Sequence, residues 1–211
     1  MNNEKYYEFL SEKDIRAIGG RISADEEFKA VPAVKGWFIS SEGRLISKRK
    51  GGNVKLVKTY FTGGYEHVTT RINDRTGKAF TIHQLVAQAF LKVPEWINSG
   101  EIIEVHHIRR VNRKKRIAGT NAVSNLSYMP KSIHKTVDVI AEVAVKEKGF
   151  YRQYDFVTAA ERMGISPYIL ADIVRQEPTR KEGKSAYYQC AVNSKGQAVD
   201  VDFRIIRTKD I

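Results

Sequence analysis

Two adjacent histidines, His106 and His107, sit in the run Glu104-Val105-His106-His107-Ile108, and Asn125-Leu126 and then His134 follow. The 211-residue chain has five histidines in all, so three of them fall in one window. Phosphodiester hydrolysis needs an activated water, stabilisation of charge at phosphorus and help for the leaving oxygen. Imidazole titrates near neutrality and suits the work of a base, while a divalent metal can hold the phosphate oxygens. Neighbours on an extended chain start on opposite faces, so His106 and His107 need different jobs. One binds metal and the other reaches water. His134 is expected in the first turn of a helix. The positive end of the helix dipole disfavours imidazolium there and keeps the ring free for a metal. Asn125 can orient a base imidazole or pin the loop. Singly, each residue reads better as a polar residue at a strand end or helix start. In this order and spacing, they favour a metal-dependent phosphodiesterase site.

The elements around these residues are legible in outline. Ile102, Ile103 and Val105 predict a strand running into the His pair. A long polar loop spans Arg109 to Val123, and Ser124 to Met129 reads as a second short strand. Pro130 is placed to open a helix, with Ile133, Val137, Ile140 and Ala144 on one face. Upstream, Glu4 to Glu27 reads as helical with a break at Gly19-Gly20, and Trp37 to Lys48 as a hairpin turning at Ser-Glu-Gly. Strands are expected at Val54–Tyr60, Gly64–Asn73 and Lys78–Ile82, then a helix over Gln84–Leu91. His83 reads as a buried, hydrogen-bonded histidine, and nothing recommends His67 for chemistry. Trp37, Tyr65, Phe80 and Phe90 read as core. Gly149 to Tyr154 reads as a linker. Thr158 to Arg175 reads as two helices around Gly164-Ile165-Ser166, with helix-turn-helix arithmetic. Two tail strands, Ala186–Val192 and Gln197–Ile206, would be joined at Asn193–Gly196.

The expected class is α+β. Its parts are a helical extension (1–30), a β-rich module (31–95), the strand–loop–strand–helix unit (96–148) and a helix-turn-helix module with a terminal hairpin (149–211). Hydrophobic content of 42% supports a real core. No run of apolar residues is long enough to span a membrane, and 1–28 lacks a signal-peptide core, so a cytoplasmic protein is expected. The single cysteine, Cys190, excludes an internal disulfide and a cysteine-based zinc cluster. Thirty-six Lys and Arg against 24 Asp and Glu give a net charge of +12, which favours a polyanionic partner. The excess is uneven: Gly43 to Lys58 carries no acid, and six of the eight residues from Arg109 to Arg116 are basic. The two runs flank the candidate site and favour phosphate contact over a merely solvated face.

Glu104-Val105-His106-His107-Ile108, Ser124-Asn125-Leu126-Ser127-Tyr128 and Ser132-Ile133-His134 resemble the three segments of an HNH (ββα-metal) endonuclease. Trp37 to Ser47 is similar to the "Y-x-V-S-x-x-G-R-V-x-S" segment that precedes such domains in phage and intron-encoded homing endonucleases. Gly64-Tyr65 to Phe90, with Ile82-His83-Gln84-Leu85-Val86-Ala87-Gln88-Ala89-Phe90, resembles their "G-Y-x-x-V … H-x-L-V-A-x-A-F" block. Thr158 to Arg175 is similar to the helix-turn-helix module often found at their C-termini. The resemblance covers about Val31 to Arg175. It implies that His107 is the general base and that His106 and His134 bind one divalent metal. It also implies that Asn125, counted with the catalytic set, orients the site, and that cleavage leaves 5′-phosphate and 3′-hydroxyl ends. Many homing relatives carry Asp or Asn at the His106 position and Asn at the His134 position. Mg²⁺ or Mn²⁺ is the expected ion, and two imidazole ligands admit a transition metal such as Zn²⁺ or Ni²⁺. The family often continues His-Ile-Asp-Gly, where this chain has His107-Ile108-Arg109-Arg110.

The expected partner is double-stranded DNA, bound by a monomer, with no membrane and no small-molecule substrate. A ribbon between Trp37 and Ile82 would offer Arg44, Lys48, Arg49, Arg71 and Arg75 to the major groove. The long loop would grip backbone phosphates through Arg109, Arg110, Arg113, Lys114, Lys115 and Arg116. The second helix of the C-terminal module would add Ser166, Tyr168 and Arg175. A DNA-binding regulator that keeps this scaffold without turnover is the alternative; its binding does not require an intact ligand set.

Overall fold

A computed structural model describes residues 10–18, 22–23, 25–48, 54–71, 77–109, 119–176, 187–190 and 201–207. The fold is α+β, with five α-helices and several antiparallel sheets among these residues. The chain divides into two compact units, 1–93 with 105–128, and 94–104 with 129–211.

In the first unit, helix α1 (Glu12–Ala17) starts at a capping box in which Ser11 and Asp14 bond reciprocally. Of the helical stretch expected from Glu4 to Glu27, residues 4–9, 19–21 and 24 lie outside the described residues, and 22–23 and 25–27 are not helical. Strands β1 (Phe28–Ala30), β2 (Trp37–Ser40), β3 (Leu45–Lys48) and β4 (Val54–Leu56) form one sheet in sequential order. The expected hairpin at Trp37–Lys48 is β2–β3, with Phe38 opposite Ile46 and Ile39 opposite Leu45. Its turn needs Gly43, whose φ of +83° lies in the left-handed region. Strands β5 (Tyr60–Thr62), β6 (Tyr65–Arg71) and β7 (Gly77–Thr81) form a second sheet. Helix α2 (Ile82–Phe90) follows and buries Ile82, Leu85 and Val86, spaced three and one apart on one face. These side chains pack with Val31, Ile39, Leu45, Val68 and Leu126 in the core of this unit.

Strand β8 (Ile103–His107) pairs with β9 (Leu126–Pro130), which a single 3-10 turn at Val123–Asn125 leads into. Ile108 N donates to Asn125 O at one end and Lys131 N to Ile102 O at the other, the crossed order of an antiparallel pair. Helix α3 (Lys131–Val137) follows directly. So the strand–loop–strand–helix order expected from the sequence is present.

The second unit corrects two expectations. The helix after Pro130 ends at Val137, and Ile140–Glu147 is strand β10. Ile140 and Ala144 satisfy a helical spacing, but Val139, Ile140, Val143 and Val145 are β-branched and prefer a pleated surface. Pairing on both sides decides the matter: Val143 lies opposite Tyr154 on one neighbour and opposite Ile205 on the other. The expected linker at Gly149–Tyr154 is also a strand, β11 (Phe150–Tyr154). Lys148 and Gly149, with φ of 49° and 88°, supply the two left-handed residues of a tight hairpin turn.

Asp155 caps helix α4 (Phe156–Arg162) by accepting from Val157 N and Thr158 N. Gly164, at φ 68°, ends it, and Ile165 N closes back on Ala160 O. Helix α5 (Pro167–Gln176) begins after Ser166, whose Oγ accepts from Ile169 N. The tail supplies β12 (Tyr187–Cys190) and β13 (Val201–Arg207), which pair with each other as expected. But β13 also pairs with β10, giving one sheet in the order β11-β10-β13-β12. The two helices therefore share a core with that sheet. Phe156, Ala159 and Leu170 pack with Val143, Phe203, Ile205, Ile133 and Val137. Among the described residues, no helix is long and apolar enough to cross a membrane.

Candidate functional site

Strand alternation separates the His pair. His106 leaves β8 on the face shared with Glu104, and His107 leaves on the other. The two faces have different surroundings.

On the His107 side, within the first unit, the ring lies edge-on to His83, with centroids 5.0 Å apart. Tyr65 covers both rings, at 4.9 Å from His83 and 6.0 Å from His107. Tyr65, expected in the core, is thus 39% exposed and lies against the two imidazoles. His83 is buried as expected, but its Nδ1 has no hydrogen-bond partner among the described residues. Burial pushes its pKa down to about 3, with the neighbouring His107 and His67 adding to the shift. His83 is therefore neutral at pH 7. His67 stacks on Tyr60 instead.

A second set of contacts reaches His107 through an amide. His107 Nε2 lies 3.5 Å from Asn121 Oδ1, and Asn121 Nδ2 donates to Glu66 Oε2 at 3.0 Å. Glu66 and Asn121 are both buried, and the other carboxylate oxygen of Glu66 accepts from Thr59. Asn121 also rests on the β2–β3 turn, where Val123 N donates to Ser41 O. Neither Glu66 nor Asn121 was expected from sequence, because β6 brings Glu66 to Asn121 across 55 positions.

Asn125 holds the two ends of the loop that begins at Arg109. Its Oδ1 accepts from Arg109 N at 2.8 Å, and its Nδ2 donates to Thr120 O at 2.9 Å. It is buried, and its contacts are to backbone.

On the other side, within the second unit, His134 Nδ1 lies 2.6 Å from Glu104 Oε2. His134 Nε2 lies 3.3 Å from Asp138 Oδ1, one turn further along. The hydrogen bond to Asp138 raises the pKa of His134, and that to Glu104 adds to it, against an opposing effect of burial. The expected helix-dipole effect is thus overturned. Helix α3 is only seven residues long, so His134 is as close to its C-terminus as to its N-terminus, and two carboxylates dominate its field. Asp138 is a candidate ligand that the sequence reading passed over. Its i+4 spacing from His134 is the signal that could have found it.

The candidate DNA contacts fall into three groups. Arg44 pairs with the buried Glu26, and Lys48 Nζ lies 2.7 Å from Asp14 Oδ2. In the second unit, Tyr168 packs edge-on against Trp96, and Arg175 bonds Thr136 Oγ1, Asp172 and the Ser132 carbonyl. Ser166 caps its own helix. Arg109 is exposed. Arg49, Arg75, Arg110, Arg113, Lys114, Lys115 and Arg116 lie outside the described residues, as does the side chain of Arg71.

No family model, no curated protein and no solved structure matches the chain.

Proposed function

We propose that this chain is a metal-dependent endonuclease that hydrolyses phosphodiester bonds of double-stranded DNA. The observation that carries the reading is the setting of His134. A ligating imidazole characteristically donates its other ring N–H to a carboxylate, which fixes the tautomer. Glu104 stands at Nδ1 in that role, which leaves Nε2, beside Asp138, for the ion. In the second unit His134 and Asp138 offer an imidazole and a carboxylate that fit a divalent metal, and His106 is kept as the further ligand that the resemblance implies. Two imidazoles and one carboxylate suit a transition ion as well as Mn²⁺, and suit Mg²⁺ less.

In this reading the bound ion stabilises charge on the scissile phosphate and on the leaving 3′ oxygen. The protein's own groups do the rest. His107, on the opposite face of β8 from His106, takes the proton from the attacking water. Neutral His83 and Tyr65 shape the His107 side without adding charge. Asn125 anchors the loop whose basic run begins at Arg109, and that run holds the DNA backbone through Arg109, Arg110, Arg113, Lys114, Lys115 and Arg116. Arg44, Lys48, Tyr168 and Arg175 already hold internal partners, so the contact proposal rests first on this loop. The resemblance implies a place of action in the cytoplasm of a bacterial or phage-infected cell.

The test is incubation of supercoiled plasmid with the protein in Mg²⁺, Mn²⁺, Zn²⁺, Ni²⁺ or EDTA. Relaxed or linear product that needs metal supports the proposal. Plasmid retarded on a gel but uncut with every ion would favour the non-catalytic regulator.

A further inference from the structure

We infer that Glu66 and Asn121 form a positioning relay that holds His107 with its proton on Nε2, so that Nδ1 is the nitrogen that accepts a proton from water. The inference rests on the nuclease reading for what Nδ1 does, but not for which nitrogen carries the proton.

Glu66 offers a carboxylate, an acceptor only when ionised. Its Oε2 takes a hydrogen from Asn121 Nδ2 at 3.0 Å, and both side chains are buried. The carboxylate decides which way the amide points, because the reverse orientation would set oxygen against oxygen. Asn121 Oδ1 must then face His107. An amide oxygen cannot donate, so His107 Nε2, at 3.5 Å, has to be the donor. A neutral imidazole that carries its proton on Nε2 keeps its lone pair on Nδ1. The distance is at the long limit for such a bond, and catalytic hydrogen bonds commonly tighten only when substrate is bound.

Asn121 is packed at its root against the β2–β3 turn. A Cβ added to Gly43 would lie 2.9 Å from Asn121 Cβ and 3.4 Å from its carbonyl oxygen, so the β2–β3 turn is pressed against it. Glu66 is held at its other oxygen by Thr59. The upstream sheets thus reach the base through one amide. Asn125, four residues on, spends its side chain on the loop backbone and is a separate device.

The proton moves from water to His107 Nδ1 as the water oxygen bonds to phosphorus and the P–O3′ bond breaks, the leaving 3′ oxygen taking its proton from solvent. The Nε2 proton stays shared with Asn121 and stabilises the imidazolium that forms. Glu66 and Asn121 touch no reacting atom and are positioning residues.

The test combines a spectroscopic arm with a kinetic one. Long-range ¹H–¹⁵N correlation of the imidazoles, with His107 assigned by its loss in His107→Ala, reads the tautomer in the metal-free protein above the histidine titration range. Wild type and Glu66→Gln, which keeps an acceptor oxygen, should show the Nε2–H form. Asn121→Ala and Glu66→Leu should show a tautomer mixture. In metal-dependent DNA cleavage, the same two variants should lose about 100-fold in kcat with KM held, as misplacement of a catalytic group does, while Glu66→Gln stays within a few-fold of wild type. An Nδ1–H tautomer of His107 in wild type overturns the relay, whether or not Asn121→Ala and Glu66→Leu fold. Wild-type kcat in a folded Asn121→Ala overturns it as well. Failure of the wild type to cut with any metal overturns the nuclease reading and the proton-accepting role of Nδ1, whichever tautomer is found.

Discussion

Glu104 and His134 stand 30 residues apart in the chain, yet Oε2 of one lies 2.6 Å from Nδ1 of the other. Glu104 arrives from β8 and His134 from α3, the outer parts of the strand–loop–strand–helix unit. With Asp138 at Nε2, the contact holds the imidazole at both ring nitrogens. In the proposed function it presents Nε2 to the metal.

Removing that acid should weaken metal binding before it weakens the fold. Glu104→Ala should lower affinity for Mn²⁺ or Zn²⁺ by about 10- to 100-fold, the usual cost of losing a partner behind a ligating histidine. Calorimetric titration of wild type and variant measures this directly. Equal affinities would contradict the assigned role.

The same carboxylates set a pH dependence in the metal-free protein. They raise the pKa of His134, so the folded state holds its proton to higher pH than the unfolded chain does. The stabilisation is fully present below about pH 6.5, the unfolded value, and is lost as pH rises through the raised folded value. Glu104 and Asp138 are each partly exposed, so solvent screening holds the effect to about 1 kcal/mol or less. Asp138→Asn should lower Tm by about 2–4 °C in mild acid, and the difference should shrink in alkali. A Tm difference that grows with pH would contradict the assignment.

His83 acts in the opposite sense and in a different window. Its folded pKa is about 3, so the unfolded state binds the extra proton first as pH falls. Stability should therefore fall below about pH 6.5, by up to about 1.4 kcal/mol per pH unit. Urea midpoints measured from neutrality down to mild acid should slope in wild type and flatten in His83→Gln. Equal slopes would show that His83 is not held neutral.

Gly43 ties the hairpin turn to the site. Gly43→Ala forces a side chain into left-handed backbone, at about 1–2 kcal/mol, and presses a methyl against Asn121. Thermal unfolding should fall by about 2–4 °C for each kcal/mol lost. Cleavage should fall further than this loss of stability explains, because Asn121 is displaced. A variant with lower Tm and wild-type kcat would separate the turn from the site.

Local signals were readable in the sequence, and long-range ones were not. The hairpin at β2–β3, the α2 helix and the two helices around Gly164-Ile165-Ser166 each depend on a few neighbouring residues, and all are present. The strands around His106, His107 and Asn125 followed from β-branched runs and turn residues. The β10 segment departs from the expected helix: Ile133, Val137, Ile140 and Ala144 fit a helical face, while the partners that make it a strand, β11 and β13, lie beyond any local window. Asp138 carries only a weak local signal, its i+4 spacing from His134. Glu66 and Asn121 were out of reach, since only the tertiary fold joins them. Histidines announce themselves by rarity, but the acids and amides that orient them do not.

The most direct test compares wild type with His107→Ala on supercoiled plasmid, each loaded with the ion that supports cleavage and matched for DNA affinity by gel retardation. Wild type should give nicked or linear product, the variant should lose at least about 100-fold in rate, and both should retard plasmid equally. Cleavage by His107→Ala at the wild-type rate would contradict the role of His107 as base.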